Sequence, residues 1–224
     1  MSQRFAVIGL GQLGNSIALT LAEQGAQVIA IDQDITYVER IKDQVAHAVA
    51  LDSRDAEALK AQEIDRIDAA VVAIGEDFEA LLMTTVALQE LGVKRIIARA
   101  SSDQQHAILN MLGIDEILSP EKKVGESVAK MLLQPSIKAF LSLSEEYEIT
   151  EIEAPPQLIG KTLVQINLRR KFNLNLITIK RNVQSDKSIH LVGVPSSDTE
   201  IKEHDILLIM GRQQDIQHFI ECYR

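Results

Sequence analysis

Along the first half of the chain, short apolar runs alternate with stretches in which apolar residues recur every three or four positions. Residues 5–8, 27–31, 46–51, 69–74, 95–98 and 114–118 are the runs, rich in Val, Ile and Ala, and they read as buried strands. Residues 15–22, 36–43, 55–62, 78–91 and 104–112 lie between them with helical spacing. Unbroken alternation of this kind predicts a Rossmann-like α/β fold: a doubly wound, parallel, six-stranded sheet with helices on both faces. A further helix starts at Pro120, where Ser119 is placed to cap it, and presents Val124, Val128, Met131 and Leu132 on one side. No strand follows for this helix to return to. Its apolar side must cover its own sheet or another subunit, and we expect residues 121–133 to cross to a second copy.

Beyond Pro135 the pattern changes. Residues 137–143 are a short apolar segment, followed by the acidic run Glu145, Glu146 and Glu148. Residues 147–153 then alternate like a half-buried strand until Pro155 and Pro156 break them. Short helical spacing at Leu163, Ile166 and Leu168, strands at 174–180 and 205–210, a polar turn at 182–188, a brief strand at 189–194 and a closing helix at 215–222 make a small α+β domain. The expected organisation is a nucleotide-binding domain with crossover helix (1–134), a linker (135–144) and a C-terminal domain (145–224).

The chemistry concentrates where the first strand meets the first helix. FAVIGLGQLG places Gly9, Gly11 and Gly14 in G-x-G-x-x-G spacing between a strand and a helix, the context that lifts this motif above chance. Gly9 permits the tight turn, Gly11 lacks the Cβ that would hold a pyrophosphate off the backbone, and Gly14 lets helix and strand pack closely. Leu10, Gln12 and Leu13 complete the loop, whose helix N-terminus offers N–H groups to phosphate oxygens. The second strand ends at Asp32, where an acid accepts hydrogen bonds from ribose hydroxyls. In a doubly wound sheet, ligands lie beyond the carboxyl ends of the strands. That rule adds Gln33, Asp52, Ser53, Ile74, Gly75 and Arg99 to the candidate cofactor-binding residues. Asp52 either meets the nucleoside or simply forms a turn. Arg99 either meets a phosphate or pairs with a nearby carboxylate.

Composition narrows the classes. The formal net charge of −9 argues against nucleic acid and against a polybasic membrane anchor. Cys222 is the only cysteine, which excludes an intramolecular disulfide and a Cys-rich metal site. Met1 leads almost directly into the first strand, and no apolar run is long enough to span a bilayer, so we expect a cytoplasmic protein. His47, His106, His190, His204 and His218 show no metal-ligand spacing, and His47 lies inside an expected strand, where a structural role is the expectation. An NAD-dependent oxidoreductase, the rival reading, needs an acid–base group brought to its nicotinamide, and the C-terminal segment supplies no candidate. A nucleotide site without catalytic equipment points to sensing. A Rossmann assembly module that binds nothing is the third reading.

Together, FAVIGLGQLG, the AID at 30–32, VVAIG, IIARA, SPEKKVG, GKTLVQINLRRKFNLNLITIKR and DTEIKEHDILLIMG resemble the RCK (regulator of potassium conductance) family, the regulatory gating subunits of Trk- and Ktr-type potassium uptake systems. The resemblance covers nearly the whole chain. It implies a non-enzymatic cytoplasmic protein that dimerises, assembles into a ring (an octamer) and gates an integral membrane potassium-translocating subunit in response to ATP, ADP or NAD(H). It further implies a divalent cation, Mg or Ca, at Glu121 of the PEK motif near the dimer interface. A third implication is cyclic di-AMP held between two C-terminal domains by the segment 175–179. Two positions depart from the family pattern. Gln12 stands where Ktr-type members commonly carry an arginine that reaches the γ-phosphate, and Asp34 adds a carboxylate where an amide is frequent.

Overall fold

The computed structural model describes residues 3–114, 116–182 and 189–223. The chain forms two compact units, 1–123 and 124–224.

In the first unit, β1 (Arg4–Ile8), α1 (Gln12–Glu23), β2 (Gln27–Asp32), α2 (Ile35–Ile41), β3 (His47–Ala50), α3 (Ala56–Ala61), β4 (Ala69–Val72), α4 (Phe78–Glu90), β5 (Ile96–Arg99), α5 (Asp103–Met111) and β6 (Glu116–Leu118) follow in the expected alternation. The strands form one six-stranded sheet in the order β3-β2-β1-β4-β5-β6, every pairing parallel. The fold is the doubly wound sheet that the sequence predicts. Strands buried on both faces explain the continuous apolar runs. Ala6, Ile8, Ile29, Ile31, Ala70 and Val72 join the core on one side, and Val7, Val28, Ala30 and Val71 join the core on the other. The order of strands reverses between β1 and β4, which opens a crevice beyond their carboxyl ends.

The helices begin where side chains can satisfy their free N–H groups. Asp34 accepts from Thr36 N, Asp55 from Glu57 and Ala58 N, Asp77 from Ala80 N, and Ser102 from Gln105 N. Among α1 to α5, helix α1 is the exception, with Gly11 at its cap position and no side-chain cap.

Helix α6 (Pro120–Leu133) runs across the division between the units. Its first turn belongs with the first unit, through Glu121 to Arg99 and Lys122 Nζ to Asp103 Oδ1 at 2.8 Å. Its later turns belong with the second, through Lys130 to Glu148 and Gln134 to Gln217.

The second unit continues with β7 (Ile137–Ser142), β8 (Tyr147–Glu153), α7 (Leu163–Ile166), α8 (Leu168–Phe172), β9 (Asn175–Asn182), β10 (Ile189–Leu191), β11 (Ile206–Arg212) and α9 (Gln213–Cys222). Its five-stranded sheet has the order β10-β9-β11-β8-β7 and is antiparallel throughout. Strand β7 lies in the stretch read from sequence as a linker. Ile137, Phe140 and Leu141 follow no strict alternation, because the register shifts between Ile137 and Ala139. The core of this unit gathers Ile152, Ile179, Leu207 and Ile209 from the strands with Phe172, Ile216 and Phe219 from the helices. The polar turn expected at 182–188 lies almost wholly outside the described residues.

Candidate functional site

Beyond β1 the chain turns at Gly9, whose φ of +89° lies in the left-handed region that favours glycine. A Cβ there would stand 2.9 Å from the backbone nitrogen of Ile74. At Gly14 a Cβ would stand 1.8 Å from the carbonyl oxygen of Gly9, so the absence of a side chain is what lets α1 rise directly from the turn. Gly11 differs from both. A Cβ on it would meet nothing within 4 Å, so its smallness serves the open space in front of it rather than the packing behind. That space is a cleft of about 680 Å³ at the carboxyl ends of the strands.

The structure brings Gly9, Gly11, Gln12, Leu13, Asp32, Gln33, Asp52, Ser53, Ile74, Gly75, Arg99 and Glu121 to the walls of this one cleft. Leu10 and Gly14 do not line it. Leu10 is buried in the core beside α1, and Gly14 is buried under the turn.

Asp32 is more committed than its place at a strand end suggests. Its Oδ2 accepts the Leu10 N–H at 2.6 Å and its Oδ1 accepts the Asp34 N–H at 2.9 Å. One carboxylate thus ties the glycine loop to the turn after β2, and each oxygen has a further lone pair with which it can accept. Asp34 caps α2, and the Thr36 N–H and hydroxyl hold its carboxyl below the usual carboxylate value.

Asp52 is held by a fork from Arg54, with Nε at 2.9 Å from Oδ1 and Nη2 at 2.6 Å from Oδ2, and these hydrogen bonds hold its carboxyl below its ordinary value. Ser53, buried, shares a 2.7 Å hydrogen bond with Thr84. Both residues therefore shape the wall through partners of their own.

Arg99 lines the cleft and also has a carboxylate partner. Its side chain leaves β5 and pairs with Glu121 at the start of α6. It lies so close over Gly75 that a Cβ there would stand 2.2 Å from Nη1, and its Nε is buried without a hydrogen-bond partner. Glu121 is thus a partner of Arg99. Among the described residues of the single chain no three His, Cys, Asp or Glu side chains gather into a metal-binding group.

Glu76, which follows Gly75 past the end of β4, lines the cleft too, as do Tyr37, Asp77 and Pro120, which escaped the sequence reading. Tyr37 is an exposed aromatic residue just past Asp32 and Gln33, and Arg40 sits 5.4 Å from its ring centre. Scarcity was the available signal, because the chain holds only 3 tyrosines and 5 phenylalanines and no tryptophan. Counted along the walls, Asp32, Asp52, Glu76, Asp77 and Glu121 face the single guanidinium of Arg99. The arrangement offers backbone N–H groups to phosphate, carboxylate oxygens to hydroxyls and an aromatic face to a base.

Elsewhere, His47 is exposed, with Nε2 2.9 Å from Gln62 Oε1. The segment 175–179 is the first part of β9, in which Asn175 and Ile177 are exposed and Ile179 is fully buried. No helix among the described residues is long and apolar enough to cross a membrane.

Comparison with known proteins agrees with this division of the chain. The TrkA-N domain family matches residues 5–120, and the TrkA-C domain family matches residues 147–221. The chain is 36% identical to Ktr system potassium uptake protein C of Bacillus subtilis, covering 98% of this chain and 96% of that one. It is 32% identical to Ktr system potassium uptake protein A of the same organism, covering 97% and 96%. A GsuK channel solved with NAD bound shares the fold with a TM-score of 0.66 at 14% identity. That match covers 98% of this chain but only 40% of the channel chain. With both domain families matched in order and Ktr relatives aligned from end to end, the chain belongs to the RCK family and is TrkA/KtrA-like.

Proposed function

We propose that this protein is the cytoplasmic regulatory subunit of a potassium uptake transporter and that it senses an adenine nucleotide in the cleft at Gly9–Gly14. The observation that carries the reading is the convergence of the glycine turn, Asp32 and the uncapped N-terminus of α1 on one cleft. It occurs in a chain aligned over almost its whole length with two potassium uptake proteins.

The ligand's adenosine diphosphate moiety, common to ADP and NAD(H), is the part this cleft suits. The pyrophosphate sits against the N–H groups at the start of α1, where the helix dipole favours negative charge. The ribose hydroxyls donate to Asp32, and Tyr37 borders the base. A third phosphate would have to extend among Glu76, Asp77 and Glu121, with Arg99 as the only cation on the wall and Gln12 uncharged. Like charges at these distances disfavour it. The partner is an integral membrane potassium-translocating subunit, and the regulatory form is a homodimer assembled into a ring.

The test is calorimetric titration of the full chain with ADP, ATP, NAD and NADH. It is followed by potassium flux into liposomes carrying a Ktr-type membrane subunit, with and without the preferred nucleotide. ADP or NAD(H) should bind at least several-fold more tightly than ATP and should change the flux. Absence of binding by all four nucleotides would remove the sensing reading, and flux indifferent to the added chain would remove the transporter reading.

A further inference from the structure

We propose that the second unit holds a binding site for a small organic cation, an alkylated ammonium compound with an apolar body.

The site is a cavity of about 720 Å³ bounded by the end of α6, the end of β8 and the last turns of α9. It lies wholly within the second unit and shares no residue with the nucleotide cleft. Its size is that of an ordinary small-molecule site, roughly 300–1,000 Å³. Prolines keep its mouth clear of regular structure. Pro155 and Pro156 follow the end of β8 at Glu153, and Pro135 follows the end of α6 at Leu133, so neither element runs on across the gap.

The walls select the ligand. Leu133, Ile152 and Ile220 give an apolar surface. Phe219 and Tyr223 line the cavity beside them, with ring centres 5.2 Å apart and planes inclined at 61°. Aromatic rings attract a cation to their negative faces. Two carboxylates, Glu153 and Glu221, also line the cavity. Lys138 stands 2.8 Å from Glu153 and holds its carboxyl below the ordinary value, so that charge is already matched. Glu221 is different. It accepts the Gln217 side-chain N–H at 2.6 Å and has no cationic partner among the described residues. None of the described residues that line the cavity is Lys, Arg or His. An unmatched carboxylate beside aromatic rings, with no cation on the walls, disfavours a phosphate or a fatty acid and favours a positive charge. A metal ion finds too few oxygen ligands on a mainly apolar wall. An ammonium group whose hydrogens are replaced by alkyl groups fits both halves of the cavity. It meets the rings and the carboxylate with its charge, and it leaves no N–H donor without a partner on the apolar side.

The proposal is independent of what the nucleotide cleft binds, and its test uses the full chain. Benzyltrimethylammonium is titrated by calorimetry at constant ionic strength, with benzyl alcohol as the neutral control and phenylacetate as the anionic one. The cation should bind in the millimolar range or below, about tenfold or more tighter than either control. Glu221 is exposed, so Glu221→Gln should fold normally and weaken the cation by about threefold or more. Tyr223→Leu, checked for folding by circular dichroism, should weaken it by a similar factor, whereas Tyr223→Phe should retain it. Excess ADP should leave the affinity unchanged. No binding up to about 10 mM, or equal binding of the three compounds, would overturn the proposal. Displacement by ADP would also overturn it, by placing the cation in the acidic nucleotide cleft. So would unaltered affinity in Glu221→Gln or in a folded Tyr223→Leu protein.

Discussion

Two glycines three residues apart do opposite things, and substitution separates them. At Gly14 a methyl group would be driven to 1.8 Å from the Gly9 carbonyl oxygen, a backbone atom that cannot swing away. Gly14→Ala should therefore cost more than about 3 kcal/mol, read as a lowered midpoint of chemical unfolding. Gly11→Ala places its methyl in open space and should stay within about 1 kcal/mol of the wild type. Gly11→Val should also fold, yet weaken adenine-nucleotide binding by more than tenfold, because the branched side chain stands where the pyrophosphate approaches. Asp32→Ala combines both effects. It removes an acceptor from the ribose and two charge-assisted hydrogen bonds from the Leu10 and Asp34 N–H groups. We expect at least a tenfold loss of affinity by calorimetry together with about 2 kcal/mol of stability. Unaltered affinity would place the nucleotide elsewhere. The positions of these residues were legible in the spacing of glycines and acid. The double duty of Asp32 was not, because it depends on where a loop 22 residues away in sequence comes to rest. The Arg54 fork on Asp52 was hidden for a similar reason, since a turn decides which of several carboxylates a guanidinium meets.

Among the elements, α6 is the one whose sequence and surroundings disagree. It is amphipathic, yet no residue on it is buried, and Val124, Val128, Leu132 and Leu133 are 44% exposed or more. An apolar side left in water by one copy is covered by another in the dimer proposed above. Val128→Asp should weaken self-association by at least tenfold in light scattering while leaving the thermal midpoint of the separated chain nearly unchanged. A wild type that is monomeric at micromolar concentration would end this reading. The contrast with the first unit explains how much of the elements could be read beforehand. The inner strands of the six-stranded sheet, buried on both faces, announce themselves as apolar runs, and four of the helices between the strands start at an Asp or Ser that caps them. Strand β7 has neither signal. It lies at the edge of its sheet and carries a register shift, so its apolar residues fall out of period and the segment reads as a linker.

For the molecule as a whole, the pair that joins cleft to helix matters most. Arg99 lines the cleft, and its guanidinium is shared between that space and Glu121 in the first turn of α6, the helix that carries the chain from one compact unit into the next. On the proposed function, a ligand phosphate and Glu121 would compete for one cation. Binding free energies are reciprocal, so a nucleotide that draws on Arg99 loosens its hold on α6, and releasing Glu121 favours the nucleotide. Glu121 is 56% exposed, so the pair is an ordinary surface ion pair worth at most about 1 kcal/mol. Glu121→Gln should accordingly tighten ADP by roughly twofold to fivefold, and Arg99→Gln should weaken it by a comparable or larger factor. The double variant decides the route. If Glu121 acts by competing for Arg99, its replacement should change nothing once Arg99 is gone, and the two effects will fail to add. If Glu121→Gln tightens ADP equally in both backgrounds, the carboxylate acts only as one more negative charge on the wall, and the cleft has no direct connection to α6 through this pair.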